Sequence, residues 1–145
     1  MPTYACSAAI GLLSPSRKER IVQSITRIHH EEAKAPAYLV QVIFHDLPTG
    51  NHWIAGALAP TGQIWVRGDI RAGRTEEQKA RMLERILGDI AGIAETVPEN
   101  VWVYICDIPA SNIAEYGSIL PTPGNEAAWL ERLPAALKAR LGSRG

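Results

Sequence analysis

The chain has 145 residues, and its 15 Lys and Arg balance its 15 Asp and Glu, so the formal net charge is zero. Hydrophobic residues make up 46% and charged residues 21%, an ordinary globular composition, and the length fits one domain over 1–145 with its own core. The zero balance excludes the basic excess that a broad nucleic-acid or membrane surface needs, but leaves open a small charged site. No apolar run approaches the roughly 18 residues of a transmembrane helix, and the first residues lack the basic-then-apolar pattern of a signal peptide. A cytoplasmic chain is expected, with Cys6 and Cys106 as two buried thiols. His29, His30, His45 and His52 have no HExxH-type spacing, so no metal site is expected.

In chain order, Pro2–Ala8 reads as a short strand. Ser14-Pro15 opens a helix with proline at its first position. Ile21, Val22, Ile25 and Ile28 form its apolar stripe, and it ends before Pro36. Tyr38–Phe44 is a β-rich apolar run, and Gln63–Asp69 is a third strand. Thr75 and Gln78 match a capping box, and Met82, Leu83, Ile86, Leu87, Ile90 and Ile93 give a second helical stripe. Val101–Cys106 reads as a second buried strand. A terminal helix is expected over about 125–141, carrying Trp129, Leu130, Leu133 and Leu137.

These elements repeat at an offset of 61 residues. Val40–Pro48 aligns with Val101–Pro109 at four identical positions of nine, and the same offset carries Ser14 onto Thr75. The halves run over about 2–60 and 63–120. Two copies are too few for a solenoid but fit a pseudo-symmetric α/β domain. Two βαβ units predict a four-stranded sheet with two helices on one face, leaving the other face open for oligomerisation.

A few residues can carry chemistry. Pro2 becomes an N-terminal secondary amine if Met1 is removed, and an α-amino group titrating near ~8 can serve as acid or base; otherwise it is merely a proline after methionine. Arg71 and Arg74 lie on a glycine-containing loop running into a helix N-terminus, a pattern that suits a carboxylate as well as a solvated loop. Helical geometry puts His29 about 50° and His30 about 150° from the first stripe, so His29 faces inward, as a core residue or as part of a site, and His30 faces solvent. Tyr104 shares a strand face with Trp102 and Cys106, and Glu115 follows in the next connection. A carboxylate near a phenol can activate water; Glu115 can equally be a surface residue. Asp46, Asp107 and Glu126 read as turn or surface groups, and Trp53, Trp65 and Trp129 as core or interface aromatics.

Together these residues resemble the tautomerase superfamily, and within it the cis-3-chloroacrylic acid dehalogenase group. The resemblance runs from Met1-Pro2-Thr3-Tyr4 to about Leu141, through Ala37–Phe44, Ile70–Thr75, Val101–Tyr104 and Glu115-Tyr-Gly117. The loop Ala33–Tyr38 resembles the permissive homologues more than the strict cis-isomer enzymes. All six of the group's functional positions are matched: Pro2, His29, Arg71, Arg74, Tyr104 and Glu115. The resemblance implies a homotrimer of β-α-β fold, without cofactor, acting on a small carboxylate. Arg71, Arg74 and His29 would hold the substrate carboxylate, Glu115 oriented by Tyr104 would activate water, and Pro2 would deliver a proton. A 3-haloacrylate or an acetylenic acid would give malonate semialdehyde. Two other functions fit the same residues: a keto–enol tautomerase on a phenylenolpyruvate-like substrate with Pro2 as base, and a non-catalytic trimer binding an anion or a partner protein.

Overall fold

Ser14 and Thr75 each cap a 19-residue helix in the computed structural model, which describes residues 2–143. In α1 (Pro15–Ala33) the Ser14 side chain accepts the Arg17 N–H, and Pro15 sits where no helical N–H is required. In α2 (Glu76–Ala94) Thr75 and Gln78 close the capping box in both directions, and Glu76 and Glu77 oppose the helix dipole. Both helices end on a left-handed residue that is not glycine, Lys34 at φ 53° and Glu95 at φ 54°.

Four strands form the main sheet: β1 (Thr3–Ala9), β2 (Gln41–Leu47), β5 (Ile64–Arg71) and β6 (Val101–Ile108), in the order β2-β1-β5-β6. β1 and β5 run antiparallel at the centre, and each carries its parallel partner outside, β2 and β6. The symmetry extends to two hairpins, β3 (Trp53–Ile54) with β4 (Ala57–Leu58), and β7 (Ala114–Glu115) with β8 (Ser118–Ile119). Their turns hold Ala55-Gly56 and Tyr116-Gly117, all at positive φ, as tight hairpins require.

One sheet face and both helices make the core. Tyr4, Cys6 and Ala8 of β1 and Ile64, Val66 and Ile70 of β5 pack against Ile21, Ile25 and Ile28 of α1 and Met82, Ile86 and Ile90 of α2. The opposite face has no covering layer in the protomer and exposes Ile43, Trp102 and Tyr104.

The chain differs from the sequence expectations in several places. Val22 is 36% exposed; the buried face of α1 runs through Ile21, Ser24, Ile25, Ile28 and His29. Ala37–Leu39 is a 3₁₀ turn, because Pro36 sets the chain into a bend, and the strand begins at Gln41. β6 is buried on one face only, and its Cys106 is half-buried rather than buried. The expected terminal helix over 125–141 is two helices, α3 (Glu126–Glu131) and α4 (Ala135–Gly142), because Pro134 cannot continue α3. They pack in a second cluster of Leu39, Leu120, Trp129, Leu133 and Leu141. No helix among the described residues is long and apolar enough to cross a membrane.

Candidate active site

The antiparallel central pair brings the start of β1 to the end of β5, since Thr3 pairs with Asp69. The end of β6 arrives at the same level, Ile108 beside Arg71. The last turn of α1 and the first turn of α2 close this end of the sheet, so Pro2, His29, Arg71 and Arg74 gather there from four elements. Hairpin β7–β8 adds Glu115. A cavity of about 350 Å³ opens beside Glu115, lined by Thr3, Leu39, Val40, Gln41, Glu115 and Tyr116.

Pro2 is buried, and its carbonyl accepts the Gln41 N–H at 3.0 Å, which joins β1 to the start of β2. His29 is 2% exposed, and its Nδ1 lies 2.9 Å from the Tyr4 hydroxyl, the two rings meeting edge to face. Burial first, then the charges of Arg74 and Arg71, lowers the His29 pKa to about 3, so the imidazole is neutral. Burial pushes the Tyr4 phenol well above its ordinary range, so it stays protonated. A protonated phenol donating to Nδ1 would leave the imidazole proton on Nε2. Tyr4 has room for this because residue 68 is glycine: a Cβ there would lie 2.5 Å from the tyrosine ring.

Arg71 is 3% exposed and firmly tied. Its Nη1 donates to the Pro121 carbonyl at 2.6 Å, and its Nη2 pairs with Glu126. Arg74 is half-buried, and its pKa is lowered by burial and then by Arg71, though a guanidinium keeps its charge at any working pH. The Nε of each arginine is buried without an acceptor. An unmet buried donor costs about 1–3 kcal/mol, more when charged, so these groups favour an incoming anion. The C-terminal segment lies directly on this loop: Gly73, at φ +112°, has no space for a Cβ, which would stand 2.9 Å from Pro123.

Glu115 is half-buried at the end of β7. Burial raises its pKa, with Arg71 pulling the other way. Its hairpin is anchored by the Tyr116 hydroxyl, which donates to the Tyr38 carbonyl at 3.1 Å. Tyr104 stands apart from the other five. It is 48% exposed on the open sheet face, edge to face with Trp65 at 5.8 Å between centroids. A larger groove of about 710 Å³ lies between α1 and α2, where Arg27 and Ser24 both hydrogen-bond to Asp89.

Two residues of this site escape sequence reasoning. Tyr4 carried one signal, a phenol on the core face of a strand, which needs a partner. Glu126 is not the surface group expected; it is the counter-ion of a buried arginine 55 residues away. That separation hides it, because a buried arginine demands a carboxylate without saying which. Asp107 is held by Lys79 at 3.0 Å.

Residues 1–132 match the family model described as "Putative oxalocrotonate tautomerase enzyme". The fold superposes with a TM-score of 0.94 on the crystal structure of N1, a member of the cis-3-chloroacrylic acid dehalogenase family; identity is 44%, over 97% of this chain and 99% of that one. Native Ps01740 is 34% identical over 78% of this chain and 99% of its own, with a TM-score of 0.74. The F6 fused 4-OT wild type asymmetric trimer is 26% identical over 81% of this chain and 94% of its own, with a TM-score of 0.75. No curated protein matches. Such relatives support an enzyme, and the chain belongs to the tautomerase superfamily, within its cis-3-chloroacrylic acid dehalogenase-like group.

Proposed function

We propose that this protein is a cofactor-free hydratase and hydrolytic dehalogenase of short unsaturated carboxylates. The observation that carries the reading is a gathering of opposite charges at one end of the sheet. Two arginines with unmet donors lie close enough to a neutral imidazole to act on its charge, and Arg71 acts in turn on Glu115, a carboxyl whose raised pKa suits it to be a base. The arginines and the imidazole would hold the substrate carboxylate and draw electrons from the β-carbon. Glu115 would take a proton from water as the oxygen attacks that carbon. Pro2, freed by removal of Met1 and protonated, would give its proton to the α-carbon. From 3-chloroacrylate the adduct is a chlorohydrin that loses HCl to leave malonate semialdehyde. From propynoate the adduct is an enol of the same product.

The open sheet face, with Trp102, Ile43 and Tyr104 exposed, would be covered in a homotrimer, and the similarity to a fused 4-OT trimer supports this assembly. Tyr104 then reaches a Glu115 across a subunit boundary rather than within its own protomer. Replacing Glu115 by Gln is expected to lower hydration of propynoate by at least about a hundredfold, the scale of a positioned general base, with the trimer intact on size-exclusion chromatography. Unchanged turnover would contradict the water-activating role. The family model and the fused 4-OT likeness favour a second reading, a keto–enol tautomerase in which neutral Pro2 is the base and Glu115 is dispensable.

A further inference from the structure

Glu126 places an internal carboxylate on one of the two arginines available to bind a substrate carboxylate. We propose that it fixes the charge of the site, and so makes the enzyme select monocarboxylates over dicarboxylates; this rests on the carboxylate-binding reading above. Arg71 is almost wholly buried and ion-paired to Glu126, whose side chain is 16% exposed, so the two charges cancel out of reach of screening water. Burial alone would raise the Glu126 carboxyl, but the hydrogen bond from Arg71 brings it below its ordinary value, so the acid stays ionised. Lys79 pairs with Asp107 and Arg67 with Asp69; Lys79 also meets Glu76, whose side chain is 89% exposed and screened by water. Arg74 has no ion-pair partner among the described residues. In the reactive form a Pro2 ammonium and the Glu115 carboxylate cancel. Among the groups shielded from water the excess is therefore a single positive charge, that of Arg74.

One ligand carboxylate balances that charge. A second one would enter a partly desolvated site with no counter-ion and with Glu126 close by, which is costly. Glu126 does not touch the reacting atoms; it acts through Arg71 as a positioning residue that also sets specificity. Removing its charge while keeping its shape returns Arg71's charge to the site and admits the second carboxylate.

The test uses two unreactive three-carbon acids, propionate and malonate, titrated into Met-free protein at fixed ionic strength and followed by NMR. Wild type is expected to bind propionate more tightly. In Glu126→Gln the preference is expected to move toward malonate on the order of tenfold, the weight of one charge-assisted bond. In the double variant Arg71→Gln/Glu126→Gln it is expected to return toward the wild-type ratio, which a purely structural role of Glu126 would not produce. A folded Glu126→Gln protein that keeps the wild-type ratio overturns the proposal. So does a wild type that prefers malonate, a result that needs no variant to fold. Because neither acid reacts, the outcome is independent of hydration. A shifted ratio with no propynoate turnover removes the hydratase reading alone, and turnover with an unshifted ratio removes the Glu126 proposal alone.

Discussion

The contact between Tyr4 and His29 shows how much of the site depends on a missing side chain. Gly68 pairs with Tyr4 across β1 and β5, and the space a Cβ would occupy is filled by the phenol. Gly68→Ala should force the ring aside, break its bond to Nδ1, and cost about 1–3 kcal/mol, the usual penalty of overpacking. Chemical denaturation measures that loss, and the affinity for propionate should fall with it. His29 also makes stability depend on pH. Its pKa is about 3 when folded against an ordinary 6.5, so between those values the unfolded chain binds a proton that the folded one refuses. Its contribution is complete above about 6.5 and is lost as the pH falls toward 3. The acid limb of a urea-midpoint curve should be shallower in His29→Gln over that window. The inward face of His29 was legible from helical spacing, because the angle to the isoleucine stripe depends on sequence alone. The tyrosine it meets was not, because that contact is made 25 residues away across a strand and a helix.

Among the elements, the helices and central strands could be read because their signals are local. Ser14-Pro15 and the Thr75/Gln78 box cap helices where expected, and the 61-residue offset holds for every main element. Thr75→Ala should destabilise the fold by about 1 kcal/mol, the typical worth of a cap, and loosen Arg74 one residue before it; thermal melts and propionate titration measure the two effects. The hairpins were missed because two-residue strands carry no periodicity, yet the second one delivers Glu115. Their symmetry shows how one half became the site. The offset that places Glu115 in the second hairpin places Ile54 in the first, and the counterparts of Arg71 and Arg74 are Ile10 and Leu13. One end of a symmetric sheet thus carries the candidate site, and at the equivalent end the two arginine positions are apolar. The terminal helices were misjudged at Pro134, where an unbroken apolar pattern hid a residue that cannot sit inside a helix.

For the whole molecule, the neutral net charge conceals a distribution in which most ions near the site are paired and Arg74 is left over. The protomer also leaves Tyr104 on an uncovered face, which a trimer would turn into a shared site. Mixing Glu115→Gln and Tyr104→Phe subunits after joint refolding should therefore restore part of the hydration activity that each variant lacks alone, because some sites receive an intact residue from each. A mixture no more active than its components would place Tyr104 outside the neighbouring site. The central claim is that Pro2 acts as an acid in a hydration. It is tested most directly by titrating the N-terminal amine of Met-free, ¹⁵N-proline-labelled protein by NMR. The hydratase account predicts an amine still protonated well above about pH 7, held so by Glu115 against the neighbouring arginines. An amine that loses its proton well below about pH 7 would contradict it and assign Pro2 the role of a base.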